Sequence, residues 1–116
     1  MSAELNLVVI RSHEIERAVR FYTTLGLTFV REQHGKGEEH WAATAGKTTF
    51  EIYPASHTYD SSGIRIGFEV TSIESVLDQL TTMGATIHRP LRDSSWGLRA
   101  VVRDFDGHTI ELTQPN

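Results

Sequence analysis

The sequence predicts an α+β fold built from two βαβββ modules in tandem. Three observations predict it: an internal repeat, apolar residues spaced as in helices and strands, and the composition of an ordinary folded chain. A shift of about 58 residues brings Ile15–Glu16 onto Ile73–Glu74. A shift of about 60 residues brings Thr49–Ile52 onto Thr109–Leu112. Two matches in the same order at nearly the same offset indicate a duplicated unit.

The first module is predicted to begin with a strand over residues 5–11, which are apolar and β-branched. Apolar side chains then recur at helical spacing from Ile15 to Leu25. Gly26 can supply the left-handed residue that ends this helix. Three short strands are predicted to follow, over residues 28–32, 40–45 and 48–53.

The second module repeats this pattern, with a strand over residues 64–70 and a helix from Ile73 to Met83. Thr71 and Glu74 have the spacing of a capping box at the start of this helix. Its three further strands are predicted over residues 86–88, 98–103 and 108–113. We therefore expect a single domain over residues 1–116, divided into module one (5–54), a linker (55–62) and module two (63–114).

Composition narrows the classes of function. The chain has 116 residues, of which 39% are hydrophobic and 22% are charged, as in ordinary folded domains. Its net charge of −4 argues against a nucleic-acid or anionic-membrane partner. The absence of cysteine excludes disulfides, thiolate metal sites and a cysteine nucleophile. No apolar run is long enough for a membrane span or a signal segment, so we expect a cytoplasmic protein.

Alternation along the strands separates an apolar face, which must contact the helices, from a polar face. The polar face carries Glu51 and Glu111, which are equivalent positions in the repeat, and Leu7 and Arg65, which are also equivalent. Pseudo-symmetry would bring these four residues near one axis. A sheet face this polar lines a solvated cleft or a binding site.

Two segments of the sequence are distinctive. One is the helix reading I-E-R-A-V-R-F-Y from Ile15, with L-G-L from Leu25, and the other is D-F-D-G-H-T-I-E-L from Asp104. Together with the tandem βαβββ modules, they resemble the vicinal oxygen chelate superfamily, which includes glyoxalase I, bleomycin-resistance proteins and extradiol dioxygenases. The resemblance implies a curved, cup-shaped eight-stranded mixed sheet with helices on its convex side. It also implies a homodimer.

In metal-dependent members, strands one, four, five and eight each supply one ligand. The resemblance places these positions on Leu7, Glu51, Arg65 and Glu111. Leucine has no donor atom, and arginine stays protonated without a lone pair to give. We therefore expect no tightly bound metal, with Arg65 pairing with Glu51, Glu111 or both, or capturing an anionic group. A divalent Zn, Ni, Fe or Mn ion held by Glu51 and Glu111 is the alternative.

The remaining candidates are histidines and aromatic residues. His40 is expected at the surface but is the best spare imidazole for a base or a metal ligand. Trp41, Tyr53 and Trp96 can form a wall against a flat ligand, although packing is the commoner role of such residues. His108 is expected to point away from the cup floor, and no Ser–His–Asp grouping is expected.

Three functions stay open at this point. The first is a glyoxalase- or bleomycin-resistance-like protein that binds a small anionic or aromatic molecule without a metal, with Glu51 and Glu111 available for acid–base chemistry. The second is a metal-dependent lyase, isomerase or dioxygenase, similar to lactoylglutathione lyase, with an atypical ligand set. The third is an interaction module whose cup is vestigial.

Overall fold

The computed structural model describes residues 1–116 and confirms an α+β fold of tandem βαβββ modules. The first module consists of β1 (Leu7–Ser12), α1 (Ile15–Leu25), β2 (Val30–Glu32), β3 (His40–Ala45) and β4 (Thr48–Pro54). The second consists of β5 (Arg65–Glu69), α2 (Ile73–Thr82), β6 (Thr86–Ser94), β7 (Gly97–Arg103) and β8 (Thr109–Pro115). Neither helix is long and apolar enough to cross a membrane.

The eight strands form two mixed sheets of four, with the orders β1-β4-β3-β2 and β5-β8-β7-β6. In each sheet the first strand of the module pairs in parallel with the last one, and the other pairs are antiparallel. The two sheets therefore have the same topology, as the internal repeat predicts. No ladder of hydrogen bonds joins one sheet to the other.

Strand β6 is longer than predicted: the sequence pattern indicated residues 86–88, and the strand extends to Ser94. Pro90 lies within this longer strand, although proline cannot donate a hydrogen bond to a strand ladder. β6 lies at the edge of its sheet, where proline is tolerated. Its pairing with β7 also shifts register between Ile87 and Arg89 and between Arg89 and Arg92.

Helix α1 buries one face and ends where the sequence predicts. Ala18, Phe21 and Tyr22 are buried against the core. Gly26 has a φ of 119°, a conformation that residues with a Cβ rarely adopt, and its N–H donates to the carbonyl of Thr23. The glycine therefore allows the chain to reverse into β2.

Helix α2 begins differently from the prediction. The capping box of Thr71 and Glu74 does not form, and Ser72 at the helix start makes no side-chain capping bond. Instead the N–H of Ile73 donates to Oε1 of Gln114 on β8, at 2.8 Å. A side chain distant in sequence thus satisfies the helix start and ties α2 to the sheet that it covers.

The two modules share one hydrophobic core on the helix-covered faces of the sheets. Fifteen buried residues form a single cluster with members from both modules. Tyr22 and Phe50 of this cluster contact each other and the partly buried Phe68, with ring centroids 4.9 to 5.9 Å apart. The opposite faces, here called the open faces, carry residues such as Leu7 and Arg65, which are 49% and 59% exposed.

A buried polar network also joins the modules. Asp104 accepts hydrogen bonds at Oδ2 from the Tyr22 hydroxyl at 2.5 Å and from Nδ1 of His108 at 2.6 Å. Burial would raise the pKa of Asp104, but the hydrogen bonds from His108 and Tyr22 outweigh it and hold that pKa below its ordinary value. Burial, together with the negative charge of Asp104, raises the pKa of Tyr22 well above its ordinary value.

The network continues to Ser61, whose Oγ lies 2.6 Å from Nε2 of His108. Ser61, His108 and Asp104 thus form a hydrogen-bonded Ser–His–Asp grouping. The expectation that the protein has no such grouping is wrong. Asp104 and His108 are four residues apart, but Ser61 lies 47 positions before His108, so the three residues form no local motif. His108 is completely buried, in agreement with the prediction that it points away from the cup floor. Ser61 Oγ also accepts a hydrogen bond from the backbone N–H of Arg11, at 2.7 Å. These contacts link β1 and the 55–64 segment to the turn between β7 and β8.

Candidate ligand-binding site

The open face of module one places four polar side chains side by side. Strand register pairs Arg11 with Tyr53 and Glu32 with His40, and the rings of His40 and Tyr53 stack at 4.3 Å. Directly opposed residues of neighbouring strands point to the same face. Four strands therefore present one continuous polar row.

Arg11 is fully engaged within this row. Its guanidinium lies 4.9 Å from the ring centre of Tyr53 and 4.6 Å from that of Tyr59. Its Nη1 binds Oε1 of Glu38 at 3.0 Å and the carbonyl of Pro54 at 3.2 Å. Desolvation, followed by the charge of Glu51, raises the pKa of Tyr53. Arg11 therefore organises this face and is not free to bind an anion.

His40 is buried, with 1% of its side chain exposed, which corrects the expectation of a surface histidine. Tyr53 covers its ring, and Nδ1 lies 3.0 Å from the carbonyl of Glu38. Its Nε2 lies 3.3 Å from Oε1 of Glu32 and 3.4 Å from Oε2 of Glu51. Glu51 thus contacts a histidine of its own sheet.

The open face of module two centres on Glu111. Arg65 binds this carboxylate through Nε to Oε2 and Nη2 to Oε1, both at 3.1 Å, and Nη2 of Arg99 binds Oε1 at 2.8 Å. The hydrogen bond from Arg65 is the main cause that lowers the pKa of Glu111. The same bond raises the pKa of Arg65. Glu111 is therefore an ionised anchor for two guanidinium groups.

Five arginines share this open face, which we call the arginine face: Arg65, Arg89, Arg92, Arg99 and Arg103. Strand register places these arginines together. Arg65 and Arg103 flank Thr109 from the two neighbouring strands, and Arg92 lies opposite Arg99. Two of them bind Glu111, and the other three form no salt bridge. Trp96 in the β6–β7 turn is 71% exposed, and its ring lies 5.5 Å from the Arg99 guanidinium.

The structure does not join the two acidic residues through Arg65. Glu51 and Glu111 lie in different sheets, and the salt bridge of Arg65 is to Glu111 alone. The sequence led us to expect Arg65 to pair with Glu51, with Glu111 or with both, and only the pair with Glu111 forms.

The four positions that supply metal ligands in related enzymes do not fit a metal here. Leu7 offers no donor atom, and the Arg65 guanidinium occupies the Glu111 carboxylate. Zn²⁺ and Ni²⁺ favour nitrogen donors, of which this set has none able to coordinate. A cation at these positions would face a fixed positive charge.

The predicted aromatic residues are separated. Tyr53 and Trp96 lie at the open faces of modules one and two, whereas Trp41 opposes Ile52 on the other face of its sheet. Neither Arg99 nor His34 is among the site residues predicted from the sequence. The pairing of β6, β7 and β8 is what places Arg99 beside Glu111, and this pairing cannot be read from the local sequence.

A cavity of about 720 Å³ lies elsewhere. Apolar residues such as Val8, Phe50 and Phe68 line much of it, and Glu69 is its only charged lining residue. It contains none of the predicted site residues. The chemistry of recognition, charge and exposed aromatic surface, is concentrated on the open faces instead.

Comparisons with known proteins agree with the architecture. The structure resembles TnmS3, an antibiotic binding protein from Streptomyces sp. CB03234, with a TM-score of 0.77 and 20% identity over 99% of this chain and 98% of that chain. It also resembles TioX from Micromonospora sp. ML1, with a TM-score of 0.70 and 23% identity over 99% of this chain and 97% of that one.

A third similar structure is a glyoxalase/bleomycin resistance protein from Streptomyces sp. CB03234, with a TM-score of 0.74 and 20% identity over 96% of this chain and 100% of that chain. At these identities the likeness shows the fold alone. A comparison with curated proteins gives no match. The family model of the Glyoxalase/Bleomycin resistance protein/Dioxygenase superfamily matches residues 4–112, and the chain therefore belongs to this superfamily.

Proposed function

We propose that this protein binds a small anionic molecule with an aromatic part and does so without a metal at the positions that related enzymes use. The arginine face carries the proposal. Five guanidinium groups lie on one sheet face of a chain whose net charge is −4. A cationic face on an acidic protein attracts small anions and concentrates them there.

The recognition chemistry is that of a carboxylate, sulfonate or phosphate group. Glu111 holds Arg65 and Arg99 in place, and Arg89, Arg92 and Arg103 remain available. A guanidinium fork matches an oxyanion with two hydrogen bonds. Glu111 is thus a positioning residue, because its oxygens already accept bonds from two arginines.

An aromatic part of the ligand would pack on Trp96. This indole is exposed beside Arg99 on a turn, next to the arginine face. Large exposed aromatic side chains are common where a ligand or partner is bound. The structurally similar protein TnmS3 is described as an antibiotic binding protein, which supports a small-molecule ligand.

The binding cup is proposed to be completed in a homodimer. Leu7 and Val30, both on the open face of module one, are 49% and 60% exposed. Exposed apolar side chains beside a polar site favour burial of these side chains against a second subunit. Sedimentation equilibrium should give twice 13.0 kDa, and a single species of 13.0 kDa would remove this part of the proposal.

The ligand class is tested by calorimetric titration with two probes of the same shape, naphthalene-2-sulfonate and the neutral naphthalene-2-sulfonamide. We expect the sulfonate to bind about tenfold or more tightly at low ionic strength, since bonds to charged groups contribute roughly 1.5–3 kcal/mol. Added salt should reduce the difference. Equal affinities of the two probes would show that the arginine face does not select an anion.

A further inference from the structure

Module one contains a cluster of histidine and carboxylate side chains that the anion-binding face does not use. The cluster consists of Glu32 at the end of β2, His34 after it, His40 at the start of β3 and Glu51 on β4. The ligand atoms of the first three lie within 4.8 Å of one another. Glu51 extends the group, since its Oε2 lies 3.4 Å from Nε2 of His40.

The hydrogen bond at Nδ1 fixes the direction of His40. Since the Glu38 carbonyl at 3.0 Å can only accept, Nδ1 carries the proton and Nε2 is left to face Glu32 and Glu51. Tyr53 stacks on the ring at an interplanar angle of 7° and holds its orientation. Metal-binding histidines commonly donate their second N–H to a backbone carbonyl in this way.

The spacing of the donor atoms suits a tetrahedral ion. With metal–ligand bonds of about 2.0–2.1 Å, neighbouring ligands of tetrahedral Zn²⁺ lie about 3.3 Å apart. Oε1 of Glu32 lies 3.3 Å from Nε2 of His40 and 3.5 Å from Nε2 of His34, and the donor atoms of these three residues all lie within 4.8 Å of one another. Three such donors leave the fourth position of a tetrahedral ion open.

Donor type selects the class of metal. Two imidazoles with carboxylates suit Zn²⁺, Co²⁺ and Ni²⁺, whereas Mg²⁺ and Ca²⁺ take oxygen ligands only. A second group, Asp104, Asp106 and His108, is also close in space. It is already saturated, because Tyr22 and Ser61 occupy the Asp104 carboxylate and the His108 Nε2.

We propose that Glu32, His34 and His40 bind one divalent transition-metal ion of the Zn²⁺ class on the open face of module one, with Glu51 beside His40. None of these three ligands occupies a position that holds metal in related enzymes. It lies in the other sheet from the arginine face, so metal binding and anion binding can be tested separately.

The test is calorimetric titration of metal-free protein with Zn²⁺, with Co²⁺ absorption as the second readout. The informative variants are His34→Gln and Glu32→Gln, because His34 is 77% exposed and neither side chain belongs to the core. His88→Gln, at an exposed histidine of β6, is the matched control.

Wild-type protein should bind one equivalent of Zn²⁺ and give the intense visible bands of tetrahedral Co²⁺. His34→Gln and Glu32→Gln should each weaken Zn²⁺ binding by about 100-fold or more, since even outer partners of a metal site change affinity by about 10- to 100-fold. His88→Gln should bind as the wild type does.

Absence of saturable Zn²⁺ binding, or equal affinity in wild type and His34→Gln, would overturn the proposal. Binding that is lost in Glu111→Gln but retained in His34→Gln would also overturn it, since the ion would then lie at module two. Naphthalene-2-sulfonate binding by the same His34→Gln protein shows whether anion binding survives independently.

Discussion

Arg65 binds one carboxylate through two nitrogens: Nε lies 3.1 Å from Oε2 of Glu111, and Nη2 lies 3.1 Å from Oε1. The bidentate pair turns a flexible side chain into a fixed donor on an open sheet face. Arg65 is 59% exposed, so the pair contributes little to folding stability. In the proposed function, Glu111 both positions the arginine and competes with an incoming anion.

Removal of that competitor should increase anion affinity. Glu111→Gln takes a negative charge from the arginine face and frees charged donors on Arg65 and Arg99, so naphthalene-2-sulfonate should bind about three- to tenfold more tightly. Calorimetric titration measures the change. The matched control is Glu16→Gln on α1, and weaker binding in Glu111→Gln would show that positioning matters more than competition.

Asp104 should matter for stability rather than for binding. Asp104→Asn replaces one of two accepting carboxylate oxygens with an N–H₂ donor, so either the side chains of Tyr22 and His108 or the backbone N–H groups of Asp106 and His108 lose their acceptor. Breaking such a buried charged network costs roughly 3–5 kcal/mol of the free energy of unfolding. Urea denaturation measures the loss, with Asp78→Asn on the exposed side of α2 as the control. A difference below about 1 kcal/mol between the two variants would contradict a structural role for the network.

The same residue should make the protein sensitive to acid. The pKa of Asp104 is lower in the folded chain than its ordinary value, so the unfolded chain binds more protons at low pH. This contribution is complete above about pH 3.9 and is lost as the pH falls through the folded pKa. Urea midpoints between pH 6 and 2 should therefore fall less steeply in Asp104→Asn than in wild type, and parallel curves would exclude this linkage.

Much of the architecture could be predicted from the sequence because it depends on local patterns. Gly26 ends α1 as expected, and alternation correctly separated Ile52 and Ile110 on the buried faces from Glu51 and Glu111 on the open ones. These features follow from residue type and spacing within one element, so they need no knowledge of distant partners.

The partners of the polar side chains could not be predicted, because pairing between elements decides them. His40 is buried since Tyr53, thirteen positions later in the chain, stacks on its ring. The link from Ser61 to His108 and the cap that Gln114 gives to α2 both depend on how sheets and loops meet. β6 extends past Pro90 because it occupies an edge, a fact of topology rather than of local sequence.

Trp96 should report on ligand binding. The chain has two tryptophans, and Trp96 is exposed beside the arginine face while Trp41 packs on the other sheet. Naphthalene-2-sulfonate should therefore shield Trp96 from quenching by acrylamide. The shielding should persist in Trp41→Phe and disappear in Trp96→Phe; the reverse pattern would place the ligand in module one.

The most direct measurement is the affinity of naphthalene-2-sulfonate for the double variant Arg89→Gln/Arg92→Gln, compared with Arg20→Gln on helix α1. All three arginines are exposed and none forms a salt bridge, so no ion pair is broken in either protein; the double variant loses two charges from the arginine face and the control loses one from α1. We expect about tenfold or weaker binding in the double variant and unchanged binding in Arg20→Gln. Equal affinities in the double variant and the wild type would contradict anion recognition by the arginine face.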